Sequence, residues 1–142
     1  MRQTVAAHKK SQRRESPILG QKVLDSQHEL EMHIADRLER ALLEGSCLAA
    51  LSELFYELCA YVVLHFTTEE TIMVEAQYPD LDTHRADHDR MRQRMFGLER
   101  RFRAGDPLAA AVALRLVRRW TSGHISSADR KLARYLVNRE TA

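Results

Sequence analysis

Six residues in this chain hold positions that the surrounding pattern reserves for apolar side chains: His28, His65, Glu69, His84, His88 and His124. One histidine on such a stripe is ordinarily a satisfied core residue or sits at a helix end. Six together are a different matter, because a buried polar group without a partner is costly. Imidazole suits iron, zinc and copper, and carboxylate suits hard cations and bridges between them. His65/Glu69 and His84/His88 are i,i+4 pairs, which face one way a turn apart on a helix, the spacing of a chelate. Gln27 and Glu70 adjoin members of the set and are candidates to orient an imidazole from behind. His8, in a basic stretch, and His33, on the outer side of its segment, are expected to stay out of any cluster.

The elements that must position these residues follow from the breakers. The chain has only five Gly and three Pro in 142 residues. Interruptions fall at Gly45, at Tyr78-Pro79-Asp80 and at Gly105-Asp106-Pro107. They leave four segments: Gln21 to Glu44, Ser46 to Ala76, Asp82 to Ala104, and one starting at Pro107. Asp106 is a good N-cap there and Pro a good first helical residue. Each segment repeats apolar residues every three or four positions, for example Leu24, His28, Met32, Ala35, Leu38 and Leu42 in the first, and none shows a useful period of two. Short connections make successive helices antiparallel neighbours. The expected fold is all-α, an up-down-up-down four-helix bundle.

Antiparallel connectivity then fixes the height of each polar residue. His28 lies 17 residues before Gly45 and His65 lies 20 after it; His88 lies 17 before Gly105 and His124 lies 19 after it. At about 1.5 Å per residue, all four are about 25–30 Å from their turns, at one end of the bundle. Glu69 and His84 flank the Tyr78–Asp80 turn at that same end. Asp129, five residues beyond His124, is about 140° away on an ideal helix. It needs a local irregularity to face the same centre, and Ser122-Gly123 is a place for one.

Charge is divided along the chain. Residues 1–14 carry five bases and no acid, residues 15–84 carry 14 acids against three bases, and residues 85–142 carry 14 bases against six acids. The basic half could face nucleic acid or another anionic partner. The simpler reading is an acidic helix pair packed beside a basic pair, so nucleic acid is not expected as a partner. Residues 1–16 are expected to form a disordered basic tail and residues 17–142 the bundle. Cys47 and Cys59, about 18 Å apart along one helix, are expected as free thiols. No apolar run approaches the roughly 18 residues of a membrane span, and the N-terminus has no apolar signal region, so a cytoplasmic protein is expected.

The chain resembles the hemerythrins of the bacterial branch. The resembling residues are Asp25-Ser26-Gln27-His28, His65-Phe66-Thr67-Thr68-Glu69-Glu70 with Met73, Tyr78-Pro79, His84-x3-His88, and Trp120-x3-His124-Ile125-x3-Asp129. The match runs from about Gly20 to Leu136. The resemblance implies seven metal ligands: His28, His65, Glu69, His84, His88, His124 and Asp129. It implies two non-heme iron ions with an oxo or hydroxo bridge, and O2 as their reversible ligand. As in the family, His84, His88 and His124 would serve one iron and His28 and His65 the other, with Glu69 and Asp129 bridging. That count fills six positions on the first iron and five on the second, which places the guest on the second.

Leu24, Met32, Val62, Phe66, Met73, Met91, Trp120, Thr121 and Ile125 lie about one turn from these ligands and are expected to wall the O2 pocket. Two features depart from the family: Thr121 stands where a large apolar residue is usual, and the usual N-terminal aromatic segment is missing before Gly20. The expected function is O2 storage, transport or buffering rather than enzymatic turnover. The alternatives are a sensor of O2, redox state or nitric oxide that signals to a separate protein, and a di-iron enzyme acting on peroxide or nitric oxide. Oligomeric state stays open.

Overall fold

A computed structural model describes residues 21–142. The tail expected over residues 1–16, His8, and the stretch before Gly20 lie outside the described residues. Helix α1 spans Lys22–Leu43, α2 Leu48–Glu75, α3 Leu81–Arg103 and α4 Leu108–His124. A π-helical turn, Ile125–Asp129, joins α4 to α5, Arg130–Glu140. No strand occurs among the described residues. Helix α1 packs on α2 and α4, α2 on α3, and α3 on α4, which closes an up-down-up-down four-helix bundle.

The turns form where the breakers stand. Gly45 (φ 66°) and Gly105 (φ 98°) adopt the left-handed conformation just past the ends of α1 and α3, which glycine enters without a Cβ clash. At the turn between α2 and α3 Gln77 takes a positive φ of 52°, and Tyr78 N–H closes the helix end on the Met73 carbonyl at 2.9 Å. Asp106 caps α4: its carboxylate accepts the Leu108 N–H at 3.1 Å and its carbonyl the Ala109 N–H at 3.2 Å.

Two apolar clusters fill the bundle. The larger runs from the Gly45/Gly105 end down its axis and includes Leu38, Phe55, Leu58, Val62, Phe66, Met91, Met95, Phe102, Ala110, Leu114 and Val117. The smaller, Leu24, Met73, Tyr78 and Leu132, closes the other end, with Tyr135 and Leu136 packed on it. Tyr135 Oη donates to the Ala76 and Gln77 carbonyls at 3.0 and 3.1 Å, which ties α5 across that end.

The charge division is used between helices. Arg118 on α4 pairs with Asp36 and Glu39 on α1 at 2.7 and 2.8 Å, and Arg92 on α3 pairs with Glu70 on α2 at 2.8 Å. Cys59 is buried and Cys47 exposed, both as free thiols. Burial pushes the Cys59 thiol up to about 12, with Glu99 adding to the effect.

One expectation holds for unbroken apolar runs alone, and one needs correction. By length and composition α2 could cross a membrane, with a mean hydropathy of 1.4 over its best stretch. No unbroken apolar run betrays this, because scattered polar residues interrupt it. In the fold one face of α2 buries Phe55, Leu58, Val62, His65, Phe66 and Glu69 in the bundle. Met32, expected on the inner stripe of α1, is only partly buried, and Glu31 is turned inward beside it. The buried face of α1 steps through His28, Glu31, Ile34, Ala35 and Leu38, so its rotation favours the i+3 position after His28 over i+4.

Candidate metal centre

The three helix reversals bring every expected donor to one level, between the two apolar clusters. Helix α1 supplies His28, α2 His65 and Glu69, α3 His84 and His88, α4 His124, and the π turn Asp129. All seven are at most 8% exposed. Their donor atoms fall into two groups. Glu69, His84, His88, His124 and Asp129 form one, and His28, His65 and Asp129 form the other; within each, all donor atoms lie within 4.8 Å of one another. A cation with bonds of about 2.1 Å to imidazole and carboxylate sets opposite donors about 4.2 Å apart, so each group has the dimensions of one ion's shell.

Asp129 belongs to both groups. Its Oδ2 is 3.3 Å from His28 Nε2, while Oδ1 is 3.0 Å from His124 Nε2 and 3.1 Å from His84 Nε2. Glu69 leans to the larger group: its Oε2 is 3.2 Å from His88, 3.5 Å from His84 and 3.9 Å from His65. The π turn makes Asp129 available. A helical turn with i→i+5 bonds returns to the same face after five residues, so His124 and Asp129 point together. The irregularity expected near Ser122-Gly123 thus occurs just after His124 instead.

The donor set fits a cation. His28 Nε2, His88 Nε2 and both oxygens of Glu69 and of Asp129 are buried without a directed hydrogen bond. His84 Nε2 and His124 Nε2 face each other at 2.9 Å. So many inward lone pairs in a dry site are expensive unless positive charge sits among them. Burial holds the His88 imidazole down to about 2 and His65 down to about 3, with neighbouring imidazoles adding to it. Both are therefore neutral donors. Burial opposes the charge of His84, but Asp129 and Glu69 outweigh it and raise the group to about 9. Burial pushes Glu69 up to about 7. It would raise Asp129 also, but the close approach of His124, His28 and His84 prevails and holds that carboxyl well below its usual range.

The two orienting candidates are in place. His65 Nδ1 is 2.9 Å from Gln27 Oε1, and Gln27 Nε2 donates in turn to Thr68 Oγ1 at 3.1 Å. His88 Nδ1 is 2.9 Å from Glu70 Oε1, which Arg92 also holds at 2.8 Å. With Nδ1–H donating outward, Nε2 keeps its lone pair for the centre. Two aromatic rings brace imidazoles from the side. Phe66 stacks on His88 with centroids 4.0 Å apart, and Trp120 stacks on His124 at 4.1 Å.

The expected pocket residues divide between the two sides of the site. Leu24 and Met73 belong to the closing cluster. Val62, Phe66 and Met91, with partly buried Met32 and Trp120, belong to the main core. Ile125 and Thr121 are buried on the α4 side. His33 points outward and is exposed.

One buried charged group was not anticipated. Glu31 is 2% exposed and accepts a hydrogen bond from Thr121 Oγ1 at 2.7 Å. Burial raises its carboxyl to about 6, against the lowering effects of Thr121 and His28. Its position three residues after His28 and four before Ala35 was the available signal.

Known proteins match this arrangement. The family model described as "Hemerythrin HHE cation binding domain" matches residues 19–136. The chain is 30% identical to a bacteriohemerythrin of Methylococcus capsulatus over 75% of its length and 80% of that protein's. It is 32% identical to a bacteriohemerythrin of Pseudomonas aeruginosa, covering 78% of this chain and 71% of that protein. A crystal structure of wild-type hemerythrin superposes with a TM-score of 0.76 at 29% identity, over 81% of this chain and 88% of that one. A four-helix bundle with a buried His/Glu/Asp centre defines a class of cation-binding proteins. Within that class, this chain belongs to the hemerythrin family, and the family implies a non-heme di-iron centre.

Proposed function

We propose that the protein binds O2 reversibly at two non-heme irons joined by an oxo or hydroxo bridge. His84, His88 and His124 would hold one iron and His28 and His65 the other, with Asp129 and Glu69 shared between them. The observation that carries this reading is the convergence of seven buried donors, with the inward atoms of His28, Glu69, His88 and Asp129 left without a hydrogen-bond partner, in a chain of this family. When bound, a ferrous pair supplies the electrons that O2 takes up on binding and returns on release.

The remaining work falls to the chain. Gln27 and Glu70 fix the tautomers of His65 and His88 so that Nε2 is the donor. Phe66 and Trp120 hold two rings against rotation. Leu24, Met73, Tyr78 and Leu132 shut the near end of the bundle against water. Exclusion of water matters because hydration promotes loss of reduced oxygen species and leaves a ferric centre. The His-rich set favours binding over oxygenation: the Glu-x-x-His pairs of carboxylate-rich di-iron enzymes do not occur in this sequence. The smaller group, with two imidazoles against three, is the side where a guest would enter. We place the protein in the cytoplasm.

Anaerobic reduction followed by air tests the reading, with the visible spectrum and the iron count recorded together. Two irons per chain and an oxygen-dependent band that reverses under vacuum are expected. A colourless protein with fewer than two irons after reconstitution would overturn it.

A further inference from the structure

We propose that Glu31 and Thr121 form a hydrogen-bond-accepting floor to the guest site, which selects a small protic guest of the hydrogen peroxide class over an anion. This rests on the metal-binding reading above but does not depend on O2 being the guest.

One turn from the donors, toward the Gly45/Gly105 end, four inward positions form a layer. Glu31 follows His28 by three residues, Val62 precedes His65 by three, Met91 follows His88 by three, and Thr121 precedes His124 by three. All four are at most 4% exposed. Two are apolar, as the core requires. The other two are a carboxylate and a hydroxyl facing each other across the α1–α4 interface, where a pair of aliphatic residues would pack without desolvating anything. A charged group retained at that cost, one turn from the donors, invites a role at the site.

The geometry limits what the pair can recognise. Thr121 Oγ1 donates to Glu31 Oε1 at 2.7 Å. A hydroxyl has one proton, and this one is committed to Glu31. The capacity left on both side chains is acceptor capacity. A guest satisfying it must bring its own O–H or N–H. Hydrogen peroxide and water do so, and azide and O2 do not. A negative charge here also repels an anion entering the dry site. Glu31 stands one helical turn after His28 on the same buried face of α1, which places the floor next to the two-imidazole group.

The test uses iron-loaded, oxidised protein in three forms: wild type, Glu31→Gln, and the double variant Glu31→Leu/Thr121→Leu. Azide and, separately, hydrogen peroxide at low temperature are titrated against the visible absorption, with iron counted in every sample. In both variants azide is expected to bind about tenfold tighter and hydrogen peroxide about tenfold weaker, the scale of one charged hydrogen bond. Affinities within twofold of wild type, with two irons retained, would overturn the proposal. If Glu31→Gln loses iron, the double variant carries the comparison. Loss of iron from both variants while wild type keeps two would make Glu31 a structural support and overturn the floor. A wild type that cannot hold two irons would sink the metal reading itself.

Discussion

The two halves of the bundle are packed by opposite rules. Toward Gly45 and Gly105 the interior is apolar: Phe55 meets Phe102 edge to face at 5.4 Å, and Ala109, Ala110 and Ala113 bring α4 in close. Toward Tyr78 the same four helices bury five imidazoles and two carboxylates at one level, with only a thin apolar cap beyond them. The first half gains free energy from every contact. The second spends free energy on desolvation and recovers it only when positive charge enters. The apolar half therefore supports the fold, and the polar half is stable in proportion to what it holds.

The sharpest way to break this contrast is Asp129→Ala, since Asp129 alone belongs to both donor groups. Bound metal should fall from two ions to one or none. With metal about 1,000-fold above Kd, that removes about 4 kcal/mol of linked stability. Metal analysis and melting curves on one preparation check it. Hydrogen exchange should then quicken in the π turn and α5 while Phe55 and Leu58 stay protected.

Phe102→Ala should do the reverse. It should cost about 3–5 kcal/mol by denaturant melts, and the molecules that stay folded should keep two ions. An equal loss of metal in both variants would erase the distinction between the halves.

Glu70→Gln lies between these extremes. It keeps a hydrogen bond to His88 but loses the charge that Arg92 also uses. Metal affinity should drop about 10–100-fold with little change in metal-free stability. Competition with a chelator measures it.

Cys59 reports on the apolar half by pH. Its folded-state thiol is raised to about 12 from an ordinary 9.0, so the folded chain keeps a proton that the unfolded chain loses. Stability should therefore fall as pH rises from about 9 to about 12, and Cys59→Ala should remove that part of the slope. At pH 8 a thiol reagent should label Cys47 and spare Cys59, with or without metal.

The smallest effect is expected from Arg118→Ala. Its partners Asp36 and Glu39 are more than half exposed, and such pairs are worth under about 1 kcal/mol.

Much of this was legible in the sequence, for physical reasons. Few breakers meant few turns, and antiparallel connectivity turned residue counts into heights, so six of the seven donors could be placed together from spacing alone. Asp129 could not be, because an ideal helix points it elsewhere and a π turn leaves no mark in composition. It came from resemblance. Glu31 was hidden for a different reason: a glutamate beside His28, Glu29 and Leu30 reads as solvated surface until its partner, 90 residues away, is seen facing it. Gln27 and Glu70 were suggested by adjacency, but only the fold shows that each meets an Nδ1. The division of the pocket residues between two apolar clusters depends on which end each helix faces, which one-turn neighbourhood does not resolve.

The wide turn at Ile125–Asp129 has a genetic corollary. Loss of a single codon there would leave an ordinary α-helix with Asp129 four residues after His124, still on the same face. Leu132 and Tyr135 would keep their faces and go on closing that end. A codon lost from the regular part of α4 has no such outlet and would turn His124 and everything after it by about 100°.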